Sequence, residues 1–260
     1  MTEERKQATT EFEGRTALVT GAASGIGAAT ARWLDRRGIG ELILVDMDRP
    51  GLSALDLRCK VRTIGGDVAD PALWKLMERD LPTLDFAVLN AGIANGCEIV
   101  DLDIASWRKT IAVNLDGMFL SLRTALRAMK KAGRGSAVLT ASVSGIKAAA
   151  GTAAYSASKA ATIQLARVAA AEAVKFGVRV NAIAPGGVDT GIWDKAEWFA
   201  TLAAEHGGRT QALAKMAAEA TPLGRFASAD EVAGQIGFLL SDAAATITGT
   251  CLVSDGGVSL

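Results

Sequence analysis

The sequence predicts an α/β fold: a doubly wound parallel sheet of about seven strands with helices on both faces. Two observations lead to this prediction. Short, almost continuous apolar runs alternate along the chain with longer amphipathic stretches, as in repeated β-α units. The apolar runs also lack the alternation typical of a half-exposed strand, so both faces of the sheet should be covered. Such units are joined by right-handed crossovers.

Each element follows from its own pattern. The segment 25–37 repeats apolar residues at Ile26, Ala29, Trp33 and Leu34, the i, i+3, i+4 stripe of a helix with one buried face. Further helices are predicted over 71–80, 103–131, 152–176 and 229–241. The predicted strands are 16–20, 41–46, 61–64, 84–89, 136–141, 178–184 and 250–254.

The length of the chain and its few prolines, none of which marks a domain break, favour one domain over 14–260, preceded by a polar tail over 1–13. Residues 191–221 interrupt the β-α rhythm, since such connections are usually much shorter. Their apolar residues predict one or two helices, with Trp193 and Trp198 in the first part. We interpret this segment as a lid over a site. The alternative is a surface helical hairpin whose aromatic side chains only pack on the body of the protein.

Composition excludes several function classes. The 28 basic residues balance 28 acidic ones, which gives no support for binding to nucleic acid or to a membrane surface. One histidine, His206, cannot supply a histidine-rich metal site, and three scattered cysteines form no CxxC pair, so no metal site is expected. No apolar run reaches the ~18 residues of a membrane-spanning helix. We therefore expect a soluble, cytoplasmic protein with reduced thiols.

A glycine-rich turn follows the first predicted strand and precedes the first predicted helix, with glycines at Gly21, Gly25 and Gly27. Such a turn lets the backbone approach a pyrophosphate, whose charge the amino end of the helix stabilises. Asp46 ends the next strand, 19 residues past Gly27, where a carboxylate can accept both hydroxyls of an adenosine ribose and repel a 2′-phosphate. This Rossmann-type pattern favours NAD(H) over NADP(H), although Arg49 lies nearby. Asp46 could also be a solvated acid at a strand end.

The only tyrosine of the chain, Tyr155, lies four residues before Lys159, so a predicted helix would carry both on one face. Ser142 lies 13 residues before Tyr155 at the end of a predicted strand, and Asn114 lies midway along the predicted helix 103–131. A lone tyrosine is usually a core or surface aromatic, and a lone serine or asparagine is usually a cap. The set as a whole, however, suggests acid–base chemistry.

These blocks, in this order, resemble the short-chain dehydrogenase/reductase family in its compact single-domain branch, over residues 14–260. The blocks are Gly21/Gly25/Gly27, Leu89–Gly92, Asn114, Ser142, Tyr155 with Lys159, and Pro185–Gly186. One departure is Leu89, where the family often has a second asparagine.

The resemblance implies an enzyme that interconverts a secondary alcohol and its ketone, with Tyr155 as general acid/base. Lys159 would help form the phenolate and contact the nicotinamide ribose, and Ser142 would hold the substrate oxygen. Asn114 would hold a water that connects Lys159 to solvent. The implied cofactor-binding residues are Gly21, Ser24, Gly25, Ile26, Gly27, Asp46, Asp67, Val68, Asn90, Ala91, Gly92, Tyr155, Lys159, Pro185, Gly186, Val188 and Thr190.

The expected substrate wall is mostly apolar, and no arginine is positioned by a motif to bind a carboxylate. An apolar or cyclic secondary alcohol is therefore favoured over polyols and 3-oxoacyl thioesters. A cofactor-sensing module without catalysis is a further alternative, which the presence of Tyr155 and Lys159 disfavours. The family usually forms homotetramers or dimers through its long helices. The substrate residues expected are Ser144, Ile146, Gly187, Trp193 and Trp198, with Ile93, Ala94, Val143 and Ala148 beside them.

Overall fold

The computed structural model describes residues 11–81, 83–94, 96–195 and 197–260. Seven of the strands in this part of the chain form one parallel sheet. All predicted strands are present, with ends displaced by at most two residues, which confirms the predicted fold class. The strands are β1 (Thr16–Thr20), β2 (Glu41–Asp46), β3 (Lys60–Gly65), β4 (Phe86–Leu89), β5 (Gly135–Thr140), β6 (Val178–Pro185), β7 (Val188–Asp189), β8 (Ala227–Ser228) and β9 (Cys251–Ser254).

Four of the nine α-helices in the described part of the chain begin at a polar side chain that caps them. Asp103 accepts hydrogen bonds from the amides of Ala105 and Ser106 at 2.9 and 2.8 Å. Ser228 and Glu231 form a reciprocal capping box. None of the described helices is long and apolar enough to span a bilayer. The helices are α1 (Gly25–Arg36), α2 (Arg49–Ser53), α3 (Pro71–Asp80), α4 (Ile104–Ile111), α5 (Gly117–Ala132), α6 (Ala153–Ala173), α7 (Glu197–Glu205), α8 (Arg209–Ala220) and α9 (Ala229–Leu240).

The large sheet has the strand order β3-β2-β1-β4-β5-β6-β9. Successive side chains of its strands enter opposite cores: Leu18 belongs to one apolar cluster and Val19 to the other. The first cluster includes Trp74 of α3 and Ala166 of α6, while the second includes Ile236 of α9. Helices therefore cover both faces, and the polar groups at the carboxyl ends of the strands are left along one edge.

The predicted helix 103–131 is not regular. A π turn at Ala112–Asp116 separates α4 from α5, and Asn114 lies inside it. A π turn holds one extra residue and often marks a functional site. The apolar pattern on either side is helical, so it could not reveal the interruption.

Residues 191–221 form a 3₁₀ turn at Trp193–Lys195, followed by α7 and α8. This agrees with the predicted helical segment, which we call the helical insertion. It has its own small core of Phe199, Ala212 and Leu213. The strands β7 and β8, which pair in parallel, flank the insertion and were not predicted because each has only two residues.

The predicted polar tail over 1–13 needs correction at its end. Residues 1–10 lie outside the described residues, but Phe12 is 1% exposed and joins the core. Its ring lies 5.5 Å from Trp33 in an edge-to-face arrangement and 5.1 Å from Phe86. The packed part of the chain thus begins before residue 14, because one aromatic side chain in a polar stretch is enough to anchor it.

Candidate active site

The site lies where the strand order reverses. β1 and β4 are neighbours at the centre of the sheet, and the helices that follow them pack on opposite faces of it. This divergence opens a crevice at the carboxyl ends of the two strands. Thr20 Oγ1 accepts hydrogen bonds from the amides of Asn90 and Ala91 at 2.9 and 3.1 Å. Asn90 Nδ2 donates to the Gly21 carbonyl oxygen at 3.3 Å. The two loops that border the crevice are therefore joined, and Thr20 is a contributor that the sequence did not reveal.

The glycine turn is built for close backbone approach. Gly21 has φ +65°, and a Cβ there would lie 2.9 Å from the Cα of Ala91. A Cβ on Gly27 would overlap the carbonyl oxygen of Gly21. Ser24 caps α1 through its extended backbone, with no side-chain cap, so the amino end of the helix is open toward the turn. Such a turn can receive a pyrophosphate.

Asp46 lies at the end of β2 and is tied to the glycine turn. Its Oδ2 accepts a hydrogen bond from the Ala23 amide at 3.0 Å, and its Oδ1 accepts one from the Asp48 amide at 3.0 Å. Arg49 points instead toward β3, where Nη2 donates to the Gly65 carbonyl oxygen at 3.1 Å. The carboxylate, and not the guanidinium, is therefore fixed beside the turn.

The next two predicted cofactor residues follow β3. Asp67 Oδ1 accepts a hydrogen bond from the Ala69 amide at 2.9 Å. The carbonyl oxygen of Val68 accepts one from Trp74 Nε1 at 2.7 Å, and its side chain fills the space above Gly117. These contacts fix the loop that borders the crevice on the β3 side.

Lys159 lies buried beneath the site, on the same helix as Tyr155. Its Nζ donates a hydrogen bond to the carbonyl oxygen of Thr140 at 2.8 Å and lies 5.6 Å from the centroid of the Tyr155 ring. Burial lowers the pKa of Lys159 from 10.5 to about 8. Thr140 was not among the predicted residues, although the last residue of a strand beside the site was a reasonable candidate.

The side chain of Ser142 lies close enough to Tyr155 to act on its pKa as a hydrogen-bond donor. Burial raises the pKa of Tyr155, and the hydrogen bond from Ser142 opposes that rise. The sequence predicted that Lys159 and the oxidised nicotinamide ring together favour the phenolate. In the protein without cofactor, removal of the phenol from water has the larger effect. Ser142 Oγ also accepts a hydrogen bond from the Ser144 amide at 3.2 Å.

The amide of Asn114 connects three segments of the site. Its Oδ1 accepts a hydrogen bond from the Ile93 amide at 2.8 Å, and its Nδ2 donates to the Ile93 carbonyl at 2.9 Å and to Ser158 Oγ at 3.1 Å. Ser158 Oγ in turn donates to the carbonyl oxygen of Tyr155 at 2.6 Å. Both donors of Asn114 are thus used, and a water could bind only at an oxygen acceptor. Ser158 was missed, although its place between Tyr155 and Lys159 was a signal.

Gly92 brings the backbone close to two polar side chains of the site. A Cβ at this residue would lie 3.3 Å from Asn114 Oδ1 and 3.4 Å from Lys159 Nζ. Because Gly92 has no side chain, Asn114 Oδ1 and Lys159 Nζ are not covered by one at this point. The buried hydroxyl of Thr140 has no hydrogen-bond partner among the described residues. These groups suit a ribose and its hydroxyls.

The segment after β6 crosses toward the glycine turn. The Gly186 amide donates to the Ser254 carbonyl oxygen at 2.9 Å, which ties this segment to β9 beyond Pro185. A Cβ on Gly25 would lie 3.4 Å from Thr190 Cγ2. Residues predicted to contact the pyrophosphate and the nicotinamide are therefore close across the crevice.

The predicted substrate residues are only partly brought together. Trp193 stacks on Phe226 with ring centroids 5.6 Å apart and donates from Nε1 to the Val188 carbonyl oxygen at 2.8 Å. Trp198 meets Trp193 edge to face and stays 54% exposed. Ile146 is 49% exposed, and a Cβ on Gly187 would overlap the Phe226 ring. The two tryptophans thus belong to one aromatic cluster of the insertion.

Comparison with known proteins agrees with this geometry. The family model described as enoyl-(acyl carrier protein) reductase matches residues 21–259. The chain belongs to the short-chain dehydrogenase/reductase family. A cis-4-hydroxycyclohexanecarboxylate dehydrogenase of Sinomonas cyclohexanicum is 40% identical over 256 residues, covering 95% of this chain and 97% of the relative. A D-threitol dehydrogenase of Mycolicibacterium smegmatis is 38% identical, covering 96% and 94%.

Structural comparison points the same way. The crystal structure of an NAD⁺-bound xylitol dehydrogenase matches with a TM-score of 0.84 at 29% identity, covering 95% of this chain and 99% of that chain. Membership of the family makes the protein an oxidoreductase that acts on CH–OH groups with a nicotinamide cofactor. The predicted family and the predicted enzyme class are confirmed.

Proposed function

We propose that the protein is an NAD(H)-dependent dehydrogenase of an apolar or cyclic secondary alcohol. The observation that carries this proposal is the buried Lys159 ammonium, 5.6 Å from the centroid of the Tyr155 ring, with Ser142 as a hydrogen-bonding neighbour of the phenol. It supports a site in which one alcohol oxygen can lie between a serine and a tyrosine hydroxyl while a fixed positive charge stays nearby.

In the proposed mechanism, Tyr155 takes the proton of the alcohol oxygen during oxidation and returns it to the carbonyl oxygen during reduction. A nicotinamide cofactor, when bound, would supply the acceptor or donor for the hydride of the alcohol carbon. Ser142 orients the oxygen by a hydrogen bond. The Lys159 ammonium favours the phenolate, which offsets the rise in pKa that burial causes. A water held near Asn114 Oδ1 would carry the proton onward from Lys159 to solvent.

The preference for NAD(H) rests on Asp46. A carboxylate fixed beside the glycine turn can accept hydrogen bonds from ribose hydroxyls and repels a 2′-phosphate. Arg49 is bound to the Gly65 carbonyl, so it is not paired with Asp46. The NAD⁺-bound xylitol dehydrogenase supports the same preference by analogy.

An apolar or cyclic substrate is supported by the tryptophans of the insertion and by the relative that acts on a hydroxycyclohexane ring. The threitol and xylitol dehydrogenases favour a polyol as the second candidate. A 3-oxoacyl thioester is a third candidate, while a cofactor-sensing module would have no use for the Tyr155 site. We also propose that the protein forms a homotetramer or dimer, since Phe119 of α5 and Val168 of α6 are exposed apolar side chains (46% and 45%) on its long helices. A cytoplasmic location is part of the same proposal.

The direct test is a panel of alcohols with NAD⁺ or NADP⁺, followed by absorbance of the reduced cofactor. The panel contains 4-substituted cyclohexanols, threitol, xylitol and a 3-hydroxyacyl thioester. The proposal predicts the highest kcat/KM for a cyclohexanol with NAD⁺. A polyol or thioester as the best substrate would replace the substrate class, and no turnover of any member would count against the proposal.

A further inference from the structure

Arg209, the first residue of α8, has a guanidinium that contacts one short segment at three points. Its Nη1 lies 2.7 Å from Asp189 Oδ1, and its Nε lies 2.8 Å from Asp194 Oδ1. Its Nη2 donates a hydrogen bond to the carbonyl oxygen of Thr190 at 3.0 Å. The two carboxylates raise the pKa of Arg209, so it stays charged. One side chain of the insertion thus holds the first two residues and the last residue of segment 189–194.

The segment that Arg209 holds lies at the proposed nicotinamide end of the site. Thr190 Cγ2 lies 3.4 Å from the position of a Cβ on Gly25, so this residue faces the glycine turn across the crevice. The carbonyl oxygen of Val188, two residues earlier, is bound to Trp193 Nε1. The insertion therefore binds carbonyl oxygens of this backbone at two points, and the Thr190 side chain meets the other wall of the crevice.

The geometry suits positioning more than global stability. The Arg209 side chain is 39% exposed, and its partners Asp189 and Asp194 are 54% and 48% exposed. Ion pairs at such exposure contribute little to the free energy of unfolding because water screens them. A planar guanidinium fixes the directions of its hydrogen bonds, which a lysine ammonium does not. The arrangement can thus set the path of a backbone segment without adding much to stability.

We propose that Arg209 is a positioning residue that links the helical insertion to the backbone receiving the nicotinamide carboxamide. We call the three contacts of Arg209 with segment 189–194 the clasp. When the clasp is intact, Val188 and Thr190 are held at the distance from the glycine turn that the whole dinucleotide needs. When it is broken, the adenosine half still binds and the nicotinamide half loses its wall. This inference rests on the proposed function, in which the crevice binds NAD(H).

The test compares two ligands that differ only at the end in question. ADP-ribose has the adenosine, pyrophosphate and second ribose but no nicotinamide, whereas NADH has all of them. Dissociation constants of both are measured by titration calorimetry for the wild type, Arg209→Gln and Arg209→Lys. Lys215→Gln is the matched control, because Lys215 pairs with Glu219 at 2.6 Å on the same helix and forms an equally exposed ion pair.

Arg209→Gln should weaken NADH binding roughly tenfold, because the released segment 189–194 must be ordered again when the nicotinamide half binds. ADP-ribose affinity should change less than about twofold. The NADH affinity of Arg209→Lys should lie between those of the wild type and Arg209→Gln, since lysine keeps the charge but lacks the planar set of guanidinium donors. Lys215→Gln should match the wild type for both ligands. In the free protein, amide hydrogen exchange over 188–194 should accelerate in Arg209→Gln alone.

Three outcomes would overturn the inference. Equal weakening of ADP-ribose and NADH would mean that Arg209 only supports the fold. Unchanged NADH affinity in Arg209→Gln would mean that the clasp does not reach the nicotinamide end. Wild-type affinity in Arg209→Lys would mean that charge alone suffices. Failure of the wild type to bind either ligand would instead refute the proposed function, which separates the two failures.

Discussion

Lys159 Nζ lies 2.8 Å from the carbonyl oxygen of Thr140, inside the protein and on the same helix as Tyr155. A buried ammonium is costly unless it is paired, and here a neutral carbonyl oxygen is its hydrogen-bond partner in the described part of the chain. The Lys159 ammonium therefore has no carboxylate partner among these contacts, and its positive charge lies beside the Tyr155 ring. Four predictions follow from this arrangement and from the residues around it.

The buried Lys159 should make the stability of the cofactor-free protein depend on pH. Its pKa is lowered from 10.5 to about 8, so between these values the unfolded chain binds more protons than the folded chain. The free energy of unfolding should therefore rise with pH in this window. Relative to Lys159→Met, the wild type should gain roughly 2 kcal/mol between pH 8 and pH 9.5, since one unit is worth about 1.4 kcal/mol.

Urea unfolding at a series of pH values, in both proteins, checks this prediction. Tyr155, whose pKa is raised by burial, acts only at higher pH and is common to both proteins. A constant difference between wild type and variant over this window would contradict the account of Lys159 as a buried, charge-disfavoured group.

Asp46→Asn should shift cofactor selectivity. The asparagine keeps one oxygen as an acceptor near the Ala23 amide but removes the negative charge that repels a 2′-phosphate. The ratio of kcat/KM for NAD⁺ to that for NADP⁺ should exceed 1 in the wild type and fall roughly tenfold in the variant. Steady-state kinetics with both cofactors measure it. A wild type that prefers NADP⁺ would reverse our interpretation of Asp46.

Trp198→Ala should test the insertion as a lid. Trp198 is 54% exposed, so its removal should leave the fold intact. If it closes over the substrate, the KM of the alcohol should rise roughly fivefold while the KM of NAD⁺ stays within about twofold. Leu76→Ala on α3 removes a similarly exposed apolar side chain (58%) and is the control. Equal effects on both KM values, or none, would favour a surface hairpin.

Much of this molecule follows from its sequence because the relevant patterns are local. Apolar runs mark strands that are buried on both faces, and Tyr155, Lys159 and Ser142 are recognisable by spacing and order. The π turn around Asn114 is not, since one extra residue in a turn leaves the surrounding apolar stripe unchanged. Thr20 and Thr140 act through tertiary contacts at strand ends, and Phe12 packs from a segment whose composition is polar.

The shift in the pKa of Tyr155 likewise depends on tertiary structure that the sequence pattern does not show. Spacing identifies Lys159 as a neighbour of the phenol, but how strongly each group is removed from water depends on the folded environment. Among the protein's own groups, burial raises the pKa of Tyr155 more than the hydrogen bond from Ser142 lowers it, and the sequence pattern does not contain that balance.

The most direct test of the central claim is the turnover of Tyr155→Phe with NAD⁺ and the best alcohol of the panel, measured beside its affinity for NADH. The phenylalanine keeps the ring and removes the one hydroxyl that can exchange the proton. The account predicts a fall in kcat of roughly a thousandfold, with the NADH dissociation constant within about twofold of the wild type. Turnover within a few fold of the wild type would contradict it.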